Sequence, residues 1–152
     1  MSKTLIFTAT YNEKENIKKL IENLNSLNLS IDILVIDDNS PDETWEILQN
    51  LEKDMKNLKL IIRNKKSGLD TAHKLAFDYA KNNNYEKFIS LDADLSHDPA
   101  EIPKMINILD KSSFVIGSRY VEGGKCEMKK SRLILSNLGN KFIKSVLKIN
   151  CI

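Results

Sequence analysis

The stretch Phe88-Ile-Ser-Leu-Asp-Ala-Asp-Leu-Ser-His-Asp-Pro99 combines a fold signal with a chemical one. It opens with a short apolar run around Ile89, which is typical of a buried strand in a parallel sheet. Asp92 and Asp94 follow where that strand should end. Two such carboxylates can converge on Mg²⁺ or Mn²⁺, which prefer oxygen ligands and often share them with substrate phosphates. The alternative is that both residues only end the strand and cap the next segment.

Strand-like and helix-like patterns alternate along the rest of the chain. The predicted strands are residues 5–9, 31–36, 58–63, 86–91 and 114–117. Apolar residues with a period of about 3.6 lie between them and predict amphipathic helices. Such alternation with short loops indicates an α/β fold: a doubly wound, mostly parallel sheet with helices on both faces. We expect one domain over residues 1–152.

Three helix starts are predicted from capping residues. Asn12, with Glu15 three residues later, has the form of a capping box. Ser40 followed by proline predicts the N-cap of the second helix, and Asp98 followed by proline predicts that of the fourth.

Length and composition limit the class of protein. The chain has 152 residues, of which 41% are hydrophobic and 29% charged, so it can bury a core. A net charge of +2 gives no argument for a nucleic-acid partner. Cys126 and Cys151 lack the spacing of a metal site or a disulfide framework, which favours a reducing compartment. With no pattern of a signal peptide or a membrane span, we expect a cytoplasmic protein.

Polar residues follow every predicted strand, and parallel strands bring their carboxyl ends to one edge. The groups at that edge are residues 10–13, 37–40, 63–68, 92–94 and 118–120. Tyr11 can stack on a nucleobase, and Asp38 suits a ribose hydroxyl or a base N–H. A metal held by two carboxylates suits a diphosphate, and Arg119 can offset further phosphate charge. The edge therefore indicates a site for a nucleoside diphosphate that carries a leaving group. The sequence contains neither a P-loop motif nor a dinucleotide-binding motif.

Five motifs stand in the chain in a characteristic order. They are Thr10-Tyr-Asn-Glu13, Val35-Ile-Asp-Asp-Asn-Ser-Pro-Asp42, Lys66-Ser-Gly-Leu69, Asp92-Ala-Asp-Leu-Ser-His-Asp-Pro99 and Gly117-Ser-Arg-Tyr-Val-Glu-Gly-Gly124. Together they resemble glycosyltransferase family 2, and within it the polyprenol-phosphate (dolichol-phosphate) mannose synthases. Members of that family run on past the last residue of this chain, so we expect the domain to be incomplete at its C-terminus.

The resemblance implies a GT-A fold, a divalent metal (Mg²⁺ or Mn²⁺) and transfer of a sugar with inversion. The leading assignment is transfer of mannose from GDP-mannose to a polyprenyl monophosphate. The donor-binding positions it implies are Ala9, Tyr11, Glu13, Ile36, Asp38, Asp92, Ala93, Asp94, Arg119 and Arg132. The implied metal ligands are Asp92, Asp94 and Ser96, and the catalytic group is Asp92, Asp94 and Arg119. Ser136 is a weaker candidate on the acceptor side.

Two other functions stay open, and a third is disfavoured. The fold could use another donor and acceptor, such as UDP-glucose or a saccharide acceptor. A short chain could also be a nucleotide-sugar-binding module without turnover. A glycoside hydrolase is disfavoured, because Asp92 and Asp94 are too close in sequence to flank a bond from opposite sides.

The helical pattern at residues 130–148 is amphipathic. Its apolar stripe is Leu135, Leu138, Phe142, Val146 and Ile149, and Lys141, Lys144 and Lys148 lie beside it. One interpretation is peripheral contact with an anionic membrane that holds the lipid acceptor. The other is a helix packed on the core with a solvated lysine face. Two histidines are also ambiguous: His97 could touch phosphate, metal or only its own loop, and His73 is expected to pack on a helix surface.

Overall fold

The computed structural model describes residues 3–118 and 130–146. The chain divides into two compact units, Met1–Ser113 and Phe114–Ile152. The first unit holds a parallel sheet with helices, and the second holds one described helix.

The sheet has four described strands. They are β1 (Thr4–Thr10), β2 (Ile31–Asp37), β3 (Leu58–Ile62) and β4 (Lys87–Ser90). Their order is β3-β2-β1-β4, and every neighbouring pair is parallel. The first four predicted strands and the parallel α/β architecture are therefore confirmed.

Helices cover both faces of the sheet. The helices of the first unit are α1 (Ile17–Ser26), α2 (Thr44–Asp54), α3 (Leu69–Asn82) and α4 (Ile102–Leu109), the last preceded by a 3₁₀ turn at Pro99–Glu101. On one face, α1, α2 and α4 pack on a cluster that includes Ile6. On the other face, α3 packs through Ala72, Ala76 and Ala80 on a cluster that includes Phe7. Because successive strand residues point to opposite faces, the nearly continuous apolar run of β1 serves both clusters.

The strand order reverses at β1, which pairs with β2 on one side and β4 on the other. Thr10 lies opposite Asp37, and Phe7 lies opposite Ser90. In open parallel sheets such a reversal opens a crevice at the carboxyl ends of the strands, where ligands bind. The loops after β1 and β4 border this crevice.

The predicted strand at residues 114–117 is wrong. The structure describes this segment without strand pairing, and its apolar side chains Phe114 and Ile116 are 74% and 70% exposed. An apolar run predicts the capacity to be buried, but a strand forms only with a hydrogen-bonded neighbour. Over the described residues, no neighbour pairs with this run.

Two of the three predicted helix caps are also wrong. The first two helices begin at Ile17 and Thr44, several residues after Asn12 and Ser40. Asn12 has a φ of 63°, outside the extended region that an N-cap residue normally adopts. Asp98 caps its segment as predicted, since its side chain accepts a hydrogen bond from Ala100 N at 2.9 Å.

In the second unit, α5 (Lys130–Val146) confirms the last predicted helix over its described residues. Among its described side chains, five large apolar ones are exposed, namely Ile134, Leu135, Leu138, Phe142 and Val146. No helix among the described residues has the length and apolar character needed to cross a membrane.

Candidate functional site

The loop after β1 carries two of the predicted donor-binding side chains. Tyr11 is 37% exposed, and the ammonium of Lys66 lies 3.9 Å from the centroid of its ring. The Glu13 carboxylate accepts a hydrogen bond from the Asn16 side chain at 3.0 Å. The Lys66 ammonium lies over one face of the exposed ring, and the other face can stack on a flat ligand.

The side chains of three predicted site residues lie in or against the core rather than at the surface. Ile36 is fully buried among the residues that α3 covers, and Ala9 is half-buried against the same cluster. Ala93 is buried in the cluster on the opposite face of the sheet. These three side chains form part of the core on which the site loops rest.

Asp38 forms a buried ion pair with Arg63, a residue that the sequence places at the end of the third predicted strand but to which it assigns no partner. The two side chains are 9% and 13% exposed, and Arg63 Nε donates to Asp38 Oδ1. The second carboxylate oxygen accepts from Ser67 N at 3.0 Å. Arg63 also donates to Gly68 O at 3.0 Å and to Thr71 Oγ1 at 2.6 Å. Asp38 therefore fixes the loop between β3 and α3.

The loop after β4 presents the two carboxylates of the predicted metal site to solvent. Both Asp92 and Asp94 are exposed. Asp94 Oδ1 accepts from Ser96 N at 2.9 Å. Hydrogen bonds from the side chain and backbone of Ser96 lower the pKa of Asp94, so it is charged at neutral pH. Ser96, a predicted metal ligand, thus orients a neighbouring carboxylate.

Two histidines form hydrogen bonds next to the carboxylate pair, one with the loop itself and one with the end of β4. The backbone N–H of Asp92 donates to His97 Nδ1 at 3.2 Å. His73 reaches from α3 to β4, with Nδ1 at 2.9 Å from Leu69 O and Nε2 at 3.0 Å from Ser90 Oγ. A carbonyl oxygen only accepts, so Nδ1 of His73 carries a proton. The helical position of His73 predicted packing, but it could not reveal the contact with Ser90.

Oxygen ligands for a metal are present but few. Within residues 3–118 and 130–146, no group of three or more His, Cys, Asp or Glu side chains could hold an ion. Two exposed carboxylates match a cation that completes its shell with water and substrate phosphate. The predicted Arg119 lies outside the described residues, as does the side chain of Arg132.

Three curated proteins share substantial sequence with the chain. It is 41% identical over 128 residues to a dolichol-phosphate mannosyltransferase of Pyrococcus furiosus, an alignment that covers 82% of this chain and 35% of that protein. It is 33% identical to a polyprenol monophosphomannose synthase of Mycolicibacterium smegmatis, over 97% of this chain and 57% of that protein. An undecaprenyl-phosphate mannosyltransferase of Micrococcus luteus is 30% identical, over 97% and 61%. The chain thus spans less than two thirds of each relative.

Solved structures confirm the GT-A fold at low sequence identity. The mannosyltransferase PcManGT from Pyrobaculum calidifontis, solved in complex with GDP-Man and Mn²⁺, matches with a TM-score of 0.55 at 22% identity, over 60% of this chain and 27% of that one. S. aureus TarS 1-349 matches with a TM-score of 0.57 at 20% identity, over 72% and 32%. Residues 5–151 match the family described as Glycosyl transferase family 2. The chain therefore belongs to glycosyl transferase family 2.

Proposed function

We propose that the chain is the donor-binding part of an inverting glycosyltransferase that moves mannose from GDP-mannose to a polyprenyl monophosphate. The observation that carries the proposal is the exposed pair Asp92 and Asp94 beside the Tyr11 loop, at the crevice where the strand order reverses. The names of the three curated relatives, each a mannosyl transferase or synthase for a polyprenol-type phosphate, support the choice of sugar and acceptor.

The donor would lie across the loop after β1 and the loop after β4. Tyr11 and Glu13 would contact the nucleoside, with Asp38 and Arg63 fixing the adjacent loop. Asp92 and Asp94 would hold Mg²⁺ or Mn²⁺, which when bound neutralises the diphosphate and stabilises its departure. Asp94 suits this role because its lowered pKa keeps it charged at neutral pH.

The acceptor makes a strong general base unnecessary. A polyprenyl monophosphate is already ionised at neutral pH, so its oxygen needs orientation toward the anomeric carbon rather than deprotonation. Arginine side chains would balance the charge of donor and acceptor phosphates. We assign this role to Arg119 and Arg132 on the family resemblance.

Calorimetric titration of the purified chain tests the proposal. We expect GDP-mannose to bind in the presence of Mn²⁺ and to bind much more weakly after chelation. UDP-glucose is the matched competitor: stronger binding of UDP-glucose would reassign the donor. Binding without transfer of [³H]mannose to a short-chain polyprenyl phosphate would favour a binding module. No metal-dependent binding of either donor would contradict the proposed site.

We also propose that α5 contacts the membrane surface where the lipid acceptor lies. Its exposed apolar residues Leu135, Leu138 and Phe142 recur at helical spacing, with exposed Lys141 and Lys144 beside them. An amphipathic helix with lysines flanking an apolar face suits an anionic interface. This contact would make the protein peripheral on a membrane, at the face that presents the acceptor phosphate.

A charge reversal on α5 checks this contact. Replacing Lys141 and Lys144 with Glu should lower co-sedimentation with phosphatidylglycerol vesicles by about tenfold or more, because each lysine near an anionic surface contributes about 1 kcal/mol. Lys53→Glu/Lys56→Glu, two exposed lysines of the first unit, is the control with the same charge change. If both variants lost vesicle binding equally, the loss would come from net charge, and the proposed contact through α5 would be refuted.

A further inference from the structure

The loop after β1 donates hydrogen bonds to the loop after β2 and to the first residue of α2. Three consecutive backbone N–H groups, those of Asn12, Glu13 and Lys14, have no strand partner because they lie beyond the last pairing of β1 with β2. Each N–H group donates a hydrogen bond to a side chain that follows β2. Asn12 N donates to Ser40 Oγ at 3.1 Å, Glu13 N to Thr44 Oγ1 at 3.0 Å and Lys14 N to Asp42 Oδ2 at 3.0 Å. We call Ser40, Asp42, Thr44 and these three N–H groups the loop clamp.

Two carboxylates fix the direction of the clamp hydroxyls. Ser40 Oγ donates its single proton to the fully buried Asp37 at 2.7 Å, so toward Asn12 it can only accept. Thr44 Oγ1 donates to Asp42 Oδ1 at 2.6 Å, so toward Glu13 it can only accept. Each chain runs from backbone N–H through a hydroxyl to a carboxylate, an arrangement in which successive hydrogen bonds strengthen one another.

Asp37 is the anchor of this arrangement. Besides the Ser40 hydroxyl, it accepts from Ser40 N at 2.8 Å and from Thr10 Oγ1 at 2.6 Å. Thr10 and Asp37 are opposite residues at the ends of β1 and β2. Asp37 therefore ties the last strand pair to the first bond of the clamp. Its neighbour Asp38 serves the other side of the same turn, where it holds Arg63.

Asp42 remains charged in this setting. Burial alone would raise the pKa of its carboxyl group, but hydrogen bonds from the Thr44 side chain and from the backbone of Lys14 and Thr44 outweigh burial and hold the pKa below its ordinary value. A charged carboxylate is the stronger acceptor for the Lys14 and Thr44 donors.

We infer that Asp37, Ser40, Asp42 and Thr44 are positioning residues for donor binding, which act by fixing the backbone that carries Tyr11 and Glu13. This inference rests on the proposed function, since it gives the clamped loop its ligand. Without the clamp, the N–H groups of residues 12–14 would turn to water, and the donor would have to order the loop on binding. Donor affinity would then fall, while the metal-binding pair after β4 would be unaffected.

Thr44→Val is the sharpest test, because it removes one acceptor and keeps the side-chain shape. We expect the Glu13 amide proton to exchange about tenfold faster and the GDP-mannose Kd in Mn²⁺ to rise about three- to tenfold, in line with the loss of one hydrogen bond. Thr44→Ser keeps the hydroxyl and should restore both values. Mn²⁺ binding in the absence of nucleotide should stay unchanged.

Thr8→Val is the matched control. Thr8 is also fully buried, and its hydroxyl has no hydrogen-bond partner among the described residues. The same Thr-to-Val change there removes no clamp bond and should leave amide exchange at residues 12–14 and donor affinity unchanged.

A second variant, Asp37→Asn, should accelerate amide exchange at Asn12, because the new side-chain amide N–H at position 37 would compete with the Asn12 N–H for the Ser40 oxygen.

The outcomes separate the inference from the proposed function. Unchanged exchange at Glu13 in Thr44→Val would overturn the clamp itself, whatever the ligand does. Faster exchange with an unchanged Kd would overturn its role in positioning. If the wild-type chain bound no nucleotide sugar while the exchange results held, the proposed function would fail, and the inferred link to donor binding with it.

Discussion

Asp94→Asn should lower the affinity for GDP-mannose in Mn²⁺ by about 100-fold or more, with little change in the fold. The substitution keeps the size of the side chain and an oxygen for Ser96, but it removes the charge that the Ser96 hydrogen bonds favour. A neutral amide is a poor ligand for a hard cation in a site that offers only two carboxylates. Calorimetric titration with and without Mn²⁺ measures the loss.

The control for this variant is Asp78→Asn, the same change at an exposed position on α3. It should leave donor affinity and its metal dependence at wild-type values. If Asp94→Asn still bound donor in a metal-dependent way, the proposed metal site would be refuted. Asp92 and Asp94 would then only end a strand and cap the next segment.

Arg63→Met should destabilise the first unit by about 3–5 kcal/mol, the usual cost of leaving a buried charge without its partner. Asp38 would keep only the hydrogen bond from Ser67 N, with its carboxylate still removed from water. Urea unfolding followed by the fluorescence of Trp45, the single tryptophan, reports the loss. The thermal midpoint should fall in parallel.

Lys59→Met provides the comparison for an exposed pair. Lys59 contacts Glu52 at 3.0 Å, but its side chain is mostly in water, so the loss should stay below about 1 kcal/mol. The double variant Asp38→Asn/Arg63→Met should recover part of the stability lost in Arg63→Met, since no unpaired charge remains. Equal effects of Arg63→Met and Lys59→Met would refute a special role for the buried pair.

The parallel sheet, and the edge where polar residues follow its strands, could be predicted because their signals are local. The strands β1 and β2 are mostly apolar, and polar residues follow each one at once. Parallel pairing then places those polar residues at one edge without further information. The run at residues 114–117 carries the same local signal but pairs with no described strand, since pairing depends on a neighbour that periodicity cannot supply.

The partners within the site could not be predicted, because they join residues far apart in the chain. Ser40 followed by proline has the local form of a helix cap, yet its hydroxyl serves Asn12 and Asp37 instead. Asp38 is predicted to contact a ribose hydroxyl or a base N–H, and the structure adds hydrogen bonds from Arg63 and Ser67 that the sequence did not indicate. Polar side chains at strand ends can satisfy either a ligand or a neighbouring loop, and the sequence alone does not distinguish the two.

The alanines of α3 let that helix lie close to the sheet, and the helix in turn links two strand ends. Ala72, Ala76 and Ala80 allow close packing on β1 and β2. From this position, Thr71 accepts a hydrogen bond from Arg63, just after β3, and His73 contacts Ser90, at the end of β4. One helix thus connects the two outer strands of the described sheet at their carboxyl ends, so a bulkier residue in place of an alanine would shift both contacts together.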